Sequence, residues 1–156
     1  MSIDALDADL IRQLANEPRI GVLELARRLN VARGTVQARL DKLQTRGVIR
    51  GFGPEIDPAA LGYTVTAFIT LEIRQRGGHE PVTEHLEHIP EVLELFTISG
   101  AGDLLCRVVA RSNADLQRVL DQVVAYDGIV RASTFIALAE RITFRTLPLV
   151  QAASSP

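Results

Sequence analysis

Between Glu24 and Gly51 the chain places Arg27, Arg28, Arg33, Arg39, Lys42, Arg46 and Arg50, seven cations against the two acids Glu24 and Asp41. A guanidinium offers forked N–H donors that match phosphate oxygens and the acceptor edges of bases. The chemistry open to such a cluster is anion binding, and a polyanion engages many of its members at once. The surroundings are acidic. Residues 19–50 hold eight basic and two acidic side chains, a net +6, whereas the whole sequence carries a formal charge of -2. Segregation of this kind points to nucleic acid or to a membrane surface. The plain alternative is a solvated helix face, and the spacing of the apolar residues helps separate the two.

Other reactive side chains form no constellation. Cys106 lies in the apolar run "DLLCRVVA" and reads as a small buried hydrophobe rather than a nucleophile. His85 and His88 stand three apart beside Glu84 and Glu87, but no third ligand cluster accompanies them, so a solvated helix is expected and no metal. "GAG" at 100–102 lacks the third glycine and following helix of a dinucleotide fingerprint. No Ser-His-Asp or Cys-His pattern has usable context. No enzymatic activity and no cofactor are therefore expected. With 47% hydrophobic and 23% charged residues in 156, the composition is that of a folded chain of one ordinary or two small domains. The start "MSIDALDADL" is acidic, and no apolar run approaches the roughly 18–20 residues of a membrane span. A cytoplasmic protein with no membrane partner is the expectation.

The elements that must position the cations are helices. Leu6, Leu10, Ile11 and Leu14 recur at helical spacing and stop at "NEPR". Val22, Leu25, Ala26 and Leu29 form a second stripe, entered through Gly21 and left through Asn30, which tolerates a left-handed backbone. Val36, Leu40 and Leu43 form a third, with Gly47 just past its end. Helices this short are stable only when packed together. Two helices of about eight and twelve residues joined by a short turn describe a helix-turn-helix, whose second helix enters the DNA major groove. The core stripe withdraws Val36, Leu40 and Leu43. Arg33, Thr35 and Gln37 then occupy the first turns, where base edges are met. Arg39 and Lys42, with Arg27 and Arg28 on the preceding helix, suit phosphates. The expected partner is double-stranded DNA. Ala32, which precedes the third helix, offers no side-chain cap, so its start is expected to leave amides free for an anion.

The stretch from "IDALDADLIRQLA" to "RGVIRGFGPEIDPAALGY" resembles the N-terminal domain of the Lrp/AsnC, or feast/famine, transcriptional regulators. Ile3-Asp4, Asp7 and Leu10-Ile11 stand at the family's opening positions. Arg19, Glu24-Leu25-Ala26, Val36, Arg39-Leu40, Leu43 and Gly47-Val48-Ile49 match further on. The resemblance implies a strand next, leading into a second domain, and "GFGPEIDPAALGY" fits it.

Beyond residue 62 the period alternates. Val65, Ala67, Ile69, Leu71 and Ile73 share one face of a strand, and a helix follows with Val82, Leu86 and Ile89 inward and Pro81 in its first turn. Strands are expected at 92–99 and 103–110. A helix opens at Ser112, with Asp115 at capping-box spacing, and a last strand runs through "VRASTFIAL". The order βαββαβ is ferredoxin-like, an antiparallel sheet with helices on one face. The α+β chain thus divides into a winged-type helix-turn-helix domain (1–50), a linker strand (51–62), a ferredoxin-like domain (63–150) and a tail (151–156). The run "TVTAFITLEI" suggests that the sheet's other face is apolar, so two protomers are expected to join sheet to sheet.

Gly100, Asp103 and Leu105, with Gly128, Thr134 and "LPL" at 147–149, resemble the same family's ligand-sensing RAM domain. The resemblance implies an amino acid or related small effector, bound near the glycine loop at an interface between dimers that can build to a tetramer or octamer. Gly100, Gly102, Asp103 and Thr134 are its candidates: loop amides for an α-carboxylate, Asp103 for an α-ammonium. A hairpin turn is the plain reading of the first three. Ala132 stands where the family often has threonine, which keeps open a regulator that binds DNA without an effector. Siroheme decarboxylases are also similar to this family. Their histidine-rich segment would fall near 94–102, where "ELFTISGAG" has neither histidine nor tryptophan.

Overall fold

A computed structural model describes residues 3–74 and 78–154. The chain forms two compact units, one made of residues up to Glu55 together with those from Ile142 on, the other of Ile56–Arg141.

In the first unit α1 (Ala5–Asn16), α2 (Val22–Leu29) and α3 (Arg33–Thr45) bury their expected stripes together. Leu10, Leu25, Ala26, Val36, Leu40 and Leu43 make the core, with Ile11, Leu14, Val22 and Leu29 around it. The punctuation works as the residue types require. Asn30 takes the left-handed conformation that ends α2, at φ 52°. Gly47, at φ 70°, donates to the Gln44 carbonyl at 2.9 Å while Val48 donates to Leu43 at 2.9 Å, a complete Schellman closure of α3. At α1 the Asp4 carboxylate accepts the Asp7 N–H at 2.8 Å, and the Asp7 carboxylate accepts the Asp4 N–H at 3.4 Å. This is a capping box built from two aspartates.

The second unit runs β1 (Val65–Ile73), α4 (Glu80–Glu87), β2 (Val92–Thr97), β3 (Leu104–Ala110), α5 (Asn113–Val124) and β4 (Ile129–Ile136). Its antiparallel sheet has the order β2-β3-β1-β4, so the expected βαββαβ arrangement holds. Alternate residues of β1 (Ala67, Ile69, Leu71 and Ile73) pack with Leu104 and Val108 of β3 against Val82 and Leu86 of α4 and Leu116, Val119 and Val123 of α5. Each such Val, Leu or Ile side chain contributes roughly 1.5–3 kcal/mol by leaving water. Cys106 is wholly buried in this layer, and burial pushes its thiol up to about 11, which makes it a packing residue. The other face is open. Phe68, Phe96 and Phe135 are 38%, 50% and 60% exposed there.

Three expectations change. Ser112 caps α5 by accepting the Asp115 N–H at 3.1 Å, but the return bond of a capping box does not form. The Asp115 carboxylate instead accepts the Arg111 N–H at 2.9 Å and the Arg118 Nε–H at 2.7 Å. Residues 50–64 contain no strand; they carry a 3-10 turn at Ala59–Leu61, whose first N–H Asp57 accepts at 2.9 Å. Gly51, Gly53, Pro54 and Pro58 disfavour a ladder, and a lone extended segment has no partner to bond. Finally, residues 147–154, expected as the end of the ferredoxin-like domain and the start of the tail, form a helix, α6 (Leu147–Ser154), which packs on α1 in the first unit. Pro148 suits a first helical turn. The last two residues of the expected tail lie outside those described.

Candidate functional site

Helix α3 is exposed at Arg33, Thr35, Gln37 and Lys42, on the surfaces left by its buried Val36, Leu40 and Leu43. Its N-cap is Ala32, in extended backbone with no side-chain bond to the first amides. Beside this start a cleft of about 390 Å³ is lined by Leu23, Arg27, Asn30, Val31 and Arg33. Gln37 is lightly tethered, its Nε2–H donating to Asp41 at 2.9 Å one turn on.

The cations sort into two groups. Arg39, expected on a phosphate, faces inward across the unit. Its Nη1 donates to the Asp4 carboxylate and to Asp7 at 2.7 Å, and Asp7 is buried. The Arg39 hydrogen bond, followed by the Asp7 N–H, holds the Asp4 carboxyl below its usual range. The aspartates that cap α1 therefore also fasten α3 to it through Arg39. Arg28 is similarly occupied, by Glu17 at 2.9 Å, Glu24 at 3.2 Å and Gln13 at 3.2 Å. Arg27 touches Glu24 only at 3.8 Å. Among the described residues no carboxylate pairs with Arg33, Lys42, Arg19, Arg46 or Arg50. The last three were not singled out by helix spacing, because they fall in the connections. The clasp did leave a signal: Asp4 and Asp7 stand at capping-box spacing ahead of an apolar run.

The effector candidates occupy two places. Gly100, Gly102 and Asp103 share the β2–β3 turn. Gly100 and Gly102 adopt φ 129° and 119°, which L side chains rarely take, and a Cβ on Gly102 would sit 3.3 Å from the Leu71 carbonyl. Asp103 staples the turn to the end of β1. Its N–H donates to the Leu71 carbonyl at 2.8 Å and its carboxylate accepts the Ile73 N–H at 2.8 Å, beside the register shift at Glu72/Ile73. Thr134 lies across β1 from this turn, on β4, where it pairs with Ile69 and is half-buried. A cleft of about 380 Å³ between α4 and β2, lined by Thr83, Leu86, Glu87 and Leu95, includes none of the four.

His88 and His85 serve main-chain carbonyls. His88 Nδ1 lies 2.6 Å from the Glu84 oxygen, and His85 Nε2 lies 2.9 Å from that of Gln122. Among the described residues no three histidine, cysteine or carboxylate side chains gather as a metal site, and no helix is long and apolar enough to cross a membrane.

Comparison with known proteins follows the same division. Residues 3–50 match the family described as winged helix-turn-helix DNA-binding, and residues 64–147 match the Lrp/AsnC ligand binding domain. A helix-turn-helix transcriptional regulator of Pyrococcus abyssi is 34% identical over 87% of this chain and 86% of its own length. The structure of E. coli AsnC superposes with a TM-score of 0.87 at 28% identity, covering 95% of this chain and all (100%) of the other. A feast or famine regulatory protein of M. tuberculosis, solved in complex with L-methionine, superposes with a TM-score of 0.80 at 28% identity, covering 92% and 97%.

Proposed function

The chain belongs to the Lrp/AsnC family of DNA-binding transcriptional regulators, and on that premise we propose how its residues divide the work. Arg33, Thr35 and Gln37 meet base edges, while Lys42, Arg27, Arg46 and Arg50 meet phosphates. The observation that carries this reading is the exposed, cation-bearing face of α3, beginning at an uncapped amide end. Free amides and the helix dipole favour a phosphate at that end.

We further propose that the second unit answers to an amino acid or related small effector at the Gly100–Asp103 turn. The M. tuberculosis relative with L-methionine supports this reading. Thr134 stands on β4, across β1 from the turn, and a pocket at an interface between copies of the chain is where the four candidates would act together. Two protomers join through the open sheet face, where Phe68, Phe96 and Phe135 supply the apolar contact. A second reading, constitutive DNA binding, is favoured by one residue. Ala132, opposite Leu71 on β4, brings no hydroxyl where the family often has one.

The test is fluorescence anisotropy on the DNA flanking the chain's own gene, with salt titrated in the presence and absence of the common amino acids. Tight, salt-sensitive binding that shifts with the mixture supports both halves. Binding indifferent to the mixture favours the constitutive reading. Absence of binding at low salt overturns the assignment of α3.

A further inference from the structure

The open face of the sheet has a charged centre. Arg107 on β3 lies opposite Phe68 on β1 and Glu94 on β2. Its Nε is buried and bonds to no acceptor among the described residues. Its Nη1 reaches Glu94 only at 3.6 Å, well beyond the roughly 2.7–2.9 Å of a charge-assisted hydrogen bond. A guanidinium with an unmet donor is costly to bury, and a second sheet laid over this face would exclude the water that now screens it. Something must complete its shell when the face is covered.

The pattern of charge on the face indicates what that is. Glu94 stands beside Arg107, and Glu72 stands beside Arg131 at 3.9 Å. A patch that meets its own copy across a two-fold axis must be self-complementary. Neighbouring opposite charges satisfy that condition; a patch of one sign does not. Phe68, opposite Arg107, with Phe135 beyond it and Phe96 two residues along β2 from Glu94, adds apolar surface to the same face, so a misaligned copy would bury an unpaired charge.

We infer that in the dimer Arg107 of each protomer binds the partner's Glu94, and that this reciprocal pair sets the register in which the two sheets meet. The inference rests on the sheet-to-sheet reading proposed above and adds the residues that give it specificity.

Charge exchange tests it on full-length, differently tagged chains mixed and weighed by native mass spectrometry. Arg107→Glu and Glu94→Arg should each dimerise poorly alone and pair with one another, because both crossed contacts are then attractive. The double variant E94R/R107E should dimerise with itself. Mixed with the natural chain it faces arginine with arginine and glutamate with glutamate, and mixed dimers should fall about tenfold below the statistical proportion. Free mixing of the double variant with the natural chain, with no rescue between the single variants, overturns the inference and leaves the dimer standing. A natural chain that stays monomeric at every concentration overturns both.

Discussion

Replacing Arg39 with alanine separates a helix clasp from a phosphate ligand. Asp7 is 3% exposed and holds Arg39 at 2.7 Å, while the Arg39 side chain itself is 27% exposed. Stranding one member of a buried pair costs about 3–5 kcal/mol. Solvent reaching the guanidinium lessens that, so about 2–3 kcal/mol is expected for the helical unit. Tyrosine fluorescence is blind to the change, since the chain has no tryptophan and both Tyr63 and Tyr126 lie in the sheet unit. Amide exchange in α1 and α3 reads it instead, and should accelerate by roughly 30- to 150-fold. A pH signature accompanies it. The folded-state pKa of Asp4 is lowered, chiefly by the Arg39 bond. The stabilisation it brings is therefore present in full above the ordinary carboxylate value, about 3.9, and is lost as pH falls through the lowered one. Arg39→Ala should remove most of that acid dependence. Protein that still folds should bind DNA with an unchanged salt slope. Unaltered exchange, together with a slope reduced by about 0.9, would refute the clasp and return Arg39 to the phosphates.

Four other perturbations give sharp readings. Lys42→Ala should weaken binding to every DNA sequence and lower the salt slope by about one, whereas Arg33→Ala should relax sequence preference at one position, both read by anisotropy across operator variants. Gly102→Ala places a Cβ at φ 119° and 3.3 Å from the Leu71 carbonyl, so chemical unfolding should show the sheet unit weakened by about 1–3 kcal/mol. Asp103→Asn keeps an acceptor for the Ile73 N–H but removes the charge. Calorimetry should find the fold nearly as stable and amino-acid binding abolished, and a retained affinity would limit Asp103 to its staple.

The sheet unit was legible because its signals are local and periodic. The alternation of Ala67, Ile69, Leu71 and Ile73, and the stripe Leu116, Val119 and Val123, each fix which face is buried without reference to the rest of the chain. Gly47 and Asn30 were legible for the same reason, since few residues fit the backbone they occupy. Arg39 was not. Helical spacing places it off the core stripe, and only the three-dimensional approach of α1 turns that surface into a clasp over Asp7. Asp103 was legible as a turn residue, while its bond to Ile73, thirty positions away in sequence, was not. The helix at 147–154 escaped because eight residues with a proline and two alanines carry little periodicity, and their packing on α1 supplies what the segment lacks.

The packing of α6 on α1 also orders events during synthesis. The sheet unit is a continuous stretch, Ile56–Arg141, inserted into the helical unit between its two parts. As the chain emerges, everything the sheet needs is available before Leu147 has been made. At roughly 5–20 residues per second, α1 waits on the order of ten seconds for the helix that covers it. Over that interval the flank of α1 that receives α6 is open to whatever a nascent chain meets, a chaperone or another ribosome's product. The sheet unit can thus complete itself before α6 exists, whereas the helical unit, whose three-helix core is available by Ile49, reaches its final packing only afterwards.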